Sequence, residues 1–336
     1  MKNASDVLDK LTQNSVLKSI IYSKGIFPMV YMAYAYRFNV IGKDYYPTEG
    51  MQAIPDASVQ SFSANGGTLK LNKEVKEIII ENGKAIGVKT KEGDCYYADN
   101  IISNASPHFT YDLLPDSILQ KNKMKQKIQG KKIFPSVCAL FMSVKNSYDF
   151  GNTGCFSFLS STNYKDNNKN FTPENCPIEM VVYPQKACDT NRAVVALIPI
   201  PYEYHNCWET GPKRERGEAY YKLKSKVADI ILSRLDSLLG NGFKDNLTLA
   251  ELSTPITFER YTHSKNGSFM GWAIDAKNYG KFLKQKTDVP NLYLAGQWVF
   301  PGFGVAGVMA SGYYLAKDLL KLDGIDLARD FKNYFK

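Results

Sequence analysis

The chain has 336 residues, enough to bury a sizeable core in one or two domains. Its 44% hydrophobic and 22% charged residues exclude a disordered or fibrous class. The 42 basic against 33 acidic residues give a charge of +9, but the lysines are scattered and no nucleic-acid motif accompanies them, so no nucleic-acid partner is expected. Cysteines at 95, 138, 155, 176, 188 and 207 form no CxxC pair, and His108, His205 and His263 are far apart. That pattern predicts reduced thiols, no metal site and a cytoplasmic location. No apolar signal segment opens the sequence.

In chain order, Ser5 and Asp6 cap a short helix carrying Val7, Leu8 and Leu11. Residues 16–36 are apolar and aromatic, broken at Gly25 and Pro28. Two core helices, a tunnel lining for a long apolar ligand, or a membrane-surface segment all fit them. The uncharged part, 25–36, falls short of the ~20 residues that span a bilayer. A loop at 45–51 leads to a helix over 52–65, ended by Gly66 and Gly67, and then to a strand at 68–71. Residues 74–80 and 85–90 form a hairpin across Asn82-Gly83. Residues 95–99 and 100–103 continue as extended segments, the second ending at Asn104, and 113–130 are polar and helical.

From 133 to about 250 the pattern is that of a separate domain, with strands at 137–144, 155–159, 178–183 and 193–198. A long helix over 218–239 places Tyr220, Leu223, Val227, Ile230, Ile231, Leu235 and Leu238 at helical spacing, and Gly240-Asn241-Gly242 stops it. Residues 291–295 then read as a buried strand, 296–304 as a glycine-rich loop and 305–321 as a helix rich in small residues. Strand, glycine loop and helix together aim free N–H groups and a helix dipole at an anion or carbonyl oxygen. A plain buried strand and helix joined by a glycine turn is the alternative.

Stretches in a fixed order carry a resemblance. First come Gly50-Met51, the helix with Gly66-Gly67, Val75-x-x-Ile78, Gly83-Lys84-Ala85-x-Gly87-Val88 and Ala98-Asp99-x-Ile101-Ile102-Ser103-Asn104-Ala105. Thr254-Pro255-x-Thr257-Phe258-Glu259-Arg260 and Gly267-Ser268-x-x-Gly271-Trp272 follow, then residues 291–307. The chain resembles the phytoene desaturase, carotenoid isomerase and retinol saturase family of FAD-dependent oxidoreductases, amine-oxidase-like flavoproteins. The resemblance implies an α/β (α+β) protein: an FAD-binding Rossmann-like domain, incomplete because its N-terminal βαβ unit is missing, with an inserted mixed-sheet substrate domain. The expected division is a helical cap segment at 1–44, FAD-domain parts at 45–112 and 289–336, and a substrate domain at 113–288.

The same resemblance implies FAD contacts at Val75, Asn104, Gly296, Gln297, Gly304, Val305 and Ala306. It implies substrate-side residues at Gly50, Met51, Tyr261, Met270 and Trp272, where Trp272 reads equally as a core aromatic and Glu259-Arg260 as a simple ion pair. The chemistry implied is hydride transfer between a long apolar polyene or isoprenoid and flavin N5, and no protein acid or base is singled out. A flavin-dependent cis–trans isomerase and a non-catalytic fragment or subunit are the alternatives. Peripheral membrane contact through 25–36 and a homo-oligomer remain open.

The sequence departs from the family at two places. It has no G-x-G-x-x-G after a first strand; Gly302-x-Gly304-x-x-Gly307 matches the spacing but lacks the second strand with an acidic partner. The expectation is therefore a truncated, split or repurposed chain that starts past the pyrophosphate site and keeps half of an FAD site, with a separate N-terminal Rossmann chain as one partner open to it. Gln297 stands where many members carry an acidic residue; it can donate and accept hydrogen bonds but carries no charge.

Overall fold

The computed structural model describes residues 4–22, 47–119, 123–151, 154–161, 171–184, 189–273 and 282–322. The strands in chain order are β1 (Val75–Glu81), β2 (Lys84–Thr90), β3 (Cys95–Tyr97), β4 (Ile101–Ser103), β5 (Cys138–Lys145), β6 (Cys155–Phe158), β7 (Ile178–Val182), β8 (Asn191–Ile198), β9 (Leu247–Ser253) and β10 (Leu292–Leu294). The chain separates into two compact units. One comprises Met1–Lys70, Pro135–Tyr261 and Ile274–Lys277; the other comprises Leu71–Phe134, Thr262–Ala273 and Asn278–Lys336. Of residues 16–36, expected as core helices, a tunnel lining or a membrane-surface segment, 16–22 lie in the helix Ser15–Tyr22 and 23–36 lie outside the described residues. Among the described residues no helix is long and apolar enough to cross a membrane.

The first unit is built on a sheet in the order β6-β7-β8-β5-β9. A mixed sheet is expected here from the resemblance; instead every neighbouring pair is antiparallel. The reason lies in the connections. β6, β7 and β8 are consecutive neighbours, whereas the chain returns from β8 to β9 through the helix Glu218–Leu239, long enough to step over β5. β8 and β9 thus run in the same direction with β5 between them. Alternation along the strands buries Leu140, Met142, Ile178, Met180, Val194, Ala196 and Ile198, and the helix adds Tyr220, Leu223, Val227, Ile231 and Leu235 to that core. Leu238, also at helical spacing, is left half exposed. A left-handed turn at Tyr204–Trp208, with φ between +43° and +63° at His205 to Trp208, is unusual for L residues. The buried Trp208 anchors it, donating its indole N–H to the Pro201 carbonyl at 3.2 Å.

The helix Ala53–Ala64 belongs to this unit and ends as its sequence dictates. Gly66 takes φ +84°, and the Gly67 N–H donates back to the Phe62 carbonyl at 2.9 Å. None of its residues is buried, and Phe62 is 52% exposed. Residues 68–71, expected as a strand, make no ladder: among the described residues no neighbouring strand offers its hydrogen-bonding groups, and Leu71 is 71% exposed.

The second unit contains the hairpin β1–β2, closed by Asn82 and Gly83 with φ of +49° and +76°, the geometry of a two-residue type I′ turn. β3 extends it to three strands. A separate parallel pair joins β4 to β10. The polar segment expected as one helix over 113–130 contains two short helices, Asp116–Leu119 and Lys123–Gln129. The terminal helix Val305–Leu322 follows the glycine-rich loop.

Candidate functional site

The candidate site grows from the parallel pair. Leu292, Tyr293 and Leu294 oppose Ile101, Ile102 and Ser103, and the Ala295 N–H carries the ladder on by donating to the Ser103 carbonyl at 2.9 Å. Two strands ending in register set Asn104 beside Gly296 at their carboxyl ends, where open parallel sheets bind ligands. The contact is tight: a Cβ on Gly296 would lie 1.9 Å from the Asn104 Oδ1 atom. Gly296 also holds φ +88°, a left-handed conformation that favours glycine. Residues from distant parts of the chain, both expected at a cofactor, are therefore neighbours.

Behind them stands a residue that the sequence reading passed over. The Gly296 N–H donates to the Ser311 Oγ at 3.0 Å, while the Gln285 Nε2 donates to the Ser311 carbonyl at 2.7 Å. Ser311 is fully buried. It was legible only as one of several small residues; its hydroxyl in fact ties the last helix to the end of β10. The helix opens at Gly304 (φ +85°), whose carbonyl accepts the Val308 N–H at 2.9 Å. That leaves the first-turn N–H groups at Val305 and Ala306 without intrahelical acceptors. Val305, Met309 and Tyr313 form an exposed apolar stripe at i, i+4 and i+8.

The stretch around Gly271 comes to the same loop. A Cβ on Gly271 would sit 3.1 Å from the Gln297 carbonyl, and its φ is +79°. Next to it, the Trp272 Nε1–H donates to the Trp298 carbonyl at 2.9 Å, and the two indoles meet edge to face with centroids 4.9 Å apart. Trp272 is buried in the core of this unit, and Met270 is partly buried beside it. His108 packs its ring against Trp272 at 5.4 Å. Val75 lies elsewhere, at the start of β1 opposite Thr90. Gly50, Met51 and Tyr261 belong to the other unit; there Tyr261 is 75% exposed and Met51 is exposed. The nearby Glu259 accepts from the buried Tyr202 hydroxyl at 2.5 Å.

One buried hydroxyl fixes how the segments at 106 and 263 meet. The Ser106 Oγ donates to the His263 carbonyl at 2.9 Å and accepts from the Phe109 N–H at 3.2 Å, so it both caps the helix Pro107–Asp112 and clamps the turn at His263. Ser106→Ala is expected to cost about 1–2 kcal/mol, the worth of a lost cap plus an orphaned carbonyl. A fall in the urea midpoint of the full chain, with unchanged slope, would report it.

Comparison with known proteins identifies the family. A family model described as flavin containing amine oxidoreductase matches residues 4–320. A chloroplastic prolycopene isomerase of Daucus carota is 28% identical over 81% of this chain and 43% of its own length. A phytoene desaturase of Neurospora crassa is 25% identical over 82% of this chain and 48% of its own. The chain thus spans about half the length of these relatives. In fold it is similar to an oxidoreductase of Methanosarcina mazei, at 18% identity and a TM-score of 0.53 over 80% of this chain and 54% of that one. Since the family model covers the chain almost from end to end, the chain belongs to the flavin containing amine oxidoreductase family.

Proposed function

We propose that this chain is the cofactor-closing and substrate-facing part of an FAD-dependent oxidoreductase that acts on a long apolar polyene or isoprenoid. One observation carries the reading: Asn104 and Gly296, predicted at the cofactor from separate stretches, stand side by side at the ends of β4 and β10. The surroundings fit a flavin. The space beside Gly304 is open, so a flat group can approach the backbone there. The N–H groups of Val305 and Ala306 would hold negative charge at the helix start. Gln297 would supply a neutral hydrogen bond where charge is absent. The apolar stripe of Val305, Met309 and Tyr313 would be covered in the loaded protein. FAD, when bound, supplies the hydride acceptor, and the protein positions and shields the substrate. Within the second unit the reading sets Met270 and Trp272 on the substrate side and Val75 at the adenine; Gly50, Met51 and Tyr261 belong to the other unit and rest on the family resemblance alone.

A half-site with a partner is part of the proposal. Parallel sheets are ordinarily covered on both faces and wider than two strands, yet among the described residues β4 has only β10 beside it. An α/β segment carrying a dinucleotide-binding loop, in the same polypeptide or on another chain, would supply the neighbours. The test is a titration of the purified chain with FAD, followed by desalting and a visible spectrum. The chain alone is expected to lose its flavin absorbance on desalting, and to keep it when a βαβ polypeptide with G-x-G-x-x-G is supplied in trans. Retention by the chain alone would overturn the half-site; no retention in either case would overturn the flavin reading.

A second reading is favoured by the likeness to prolycopene isomerase. In it, reduced flavin supports a cis–trans isomerisation without net redox change. Turnover of a polyene without consumption of an electron acceptor would select it over desaturation.

A further inference from the structure

A cavity of about 320 Å³ in the second unit, distinct from the ends of β4 and β10, combines features that the flavin reading leaves unused. Its walls come from the helix Pro107–Asp112, the helix Lys123–Gln129 and the turn at His263 to Lys265. The volume is at the small end of ligand pockets.

The hydrogen-bonding demands of its walls define what would fill it. The His108 Nδ1 is buried and, among the described residues, has no hydrogen-bond partner. Burial, and after it the positive charge of Lys265, lowers the pKa of this ring against the smaller opposing effects of Asp112 and the Ile128 backbone. At neutral pH the ring is therefore uncharged; one nitrogen is a donor and the other a bare acceptor. With the proton on Nε2, Nδ1 is an acceptor that needs an O–H or N–H from a ligand, and a buried acceptor without one is costly.

The remaining groups have the opposite need. Lys265 makes no ion pair with any described carboxylate, and Gln129 adds an amide. Lys125 is already matched by Asp112 at 3.1 Å, so the one acidic lining residue is neutralised. The Tyr111 hydroxyl is engaged by Asp288 at 3.0 Å and contributes only its ring. His263 stacks flat on Phe109, with centroids 4.3 Å apart and planes 16° apart, and stands 3.8 Å from a Glu74 oxygen. Its φ of +50° is a left-handed conformation rarely kept by a residue without cause, and the Ser106 hydroxyl holds it in place.

We propose that this cavity, lined by His108, Phe109, Lys125, Gln129, His263 and Lys265, binds a small oxyanion that still carries a proton, of the phosphate or phosphate-monoester type. The protonated oxygen donates to the His108 Nδ1, and the ionised oxygens accept from the Lys265 ammonium and the Gln129 amide. Sulfate has the same shape and charge acceptors but no proton to give at neutral pH. Selectivity for phosphate over sulfate is therefore the signature of the site.

The experiment is isothermal titration of the full chain at pH 6.5 in chloride buffer, with inorganic phosphate, glycerol 3-phosphate and sulfate as separate probes. Phosphate is expected to bind saturably, with sulfate weaker by about tenfold or more, the worth of one charge-assisted hydrogen bond. Lys265→Ala, at an exposed position, is expected to weaken phosphate binding by a similar factor without altering the fold, and Lys265→Arg to restore most of it. Tighter binding of glycerol 3-phosphate than of phosphate identifies an ester as the natural ligand; the reverse order identifies the free ion. Equal affinity for sulfate and phosphate, no saturable binding of either phosphate probe, or an unchanged affinity in Lys265→Ala would overturn the proposal. None of these readouts depends on flavin, so the outcome is separate from that of the half-site.

Discussion

Trp298→Ala is expected to destabilise its unit by about 3–5 kcal/mol, the range for removing a large aromatic from a packed core. Trp298 is only 2% exposed. Its ring meets Trp272 edge to face at 4.9 Å and has His108 at 6.1 Å. Gly271 closes the wall: a Cβ there would come within 3.5 Å of the Trp298 ring, so the backbone reaches the indole without a side chain between. The loop at 296–298 cannot readily collapse into the space, because the Gln297 carbonyl sits against Gly271 and the Trp298 carbonyl is held by the Trp272 indole N–H at 2.9 Å. A loss of this size is a large part of the roughly 5–15 kcal/mol that a whole protein has. Urea unfolding of the full chain, followed by near-ultraviolet circular dichroism, measures it. Trp272→Phe keeps most of the ring area and removes one donor, so its cost is expected nearer 1–2 kcal/mol. Equal costs for the two variants would mean that the hydrogen bond, and not packing, holds the loop.

Gly307→Ala and Gly312→Ala are expected to move stability in opposite directions, although both glycines lie in the same helix. A Cβ on Gly307 would be 2.7 Å from the Gly302 carbonyl oxygen, a backbone atom that no rotamer change can clear. Gly302 itself is pinned: it holds φ +110°, and its own Cβ would meet Phe282 at 2.9 Å. Overpacking of this kind costs about 1–3 kcal/mol, more than the helix propensity that alanine gains. Nothing lies within 4 Å of the corresponding position on Gly312, so alanine there is expected to stabilise by up to about 1 kcal/mol. Thermal unfolding of both variants gives the signs. Because Gly307 sets how closely the helix start approaches the loop, its variant is also expected to lose flavin in the reconstituted titration, and the Gly312 variant to keep it. A stabilised Gly307→Ala protein would show that the close approach is absent.

Much of the secondary structure was legible, and for local reasons. The Asn82-Gly83 pair closes its hairpin because both residues tolerate positive φ, and the helix Glu218–Leu239 has the predicted bounds because apolar periodicity starts and glycine stops it. The family resemblance was legible as well, since it rests on the order of short glycine-rich stretches that survive where backbones approach closely. Residues 68–71 were misread: their apolar character suits a strand, but a strand exists only if a neighbour supplies the ladder. The direction of the five-stranded sheet was misread for a related reason, since a parallel or antiparallel partner is chosen by the connections and not by composition.

The sequence by itself determined the periodic elements, the turns and the family, because these depend on the conformational preferences of single residues and on spacing along the chain. Tertiary structure alone decided which distant residues meet: Asn104 against Gly296, Ser311 behind them, Gly271 against Gln297, and His108 beside Lys265 in a cavity of its own. Strand register and side-chain packing are long-range properties. No window of the chain contains both partners, so only the folded backbone, by bringing strand ends and helix starts to one place, could assign them.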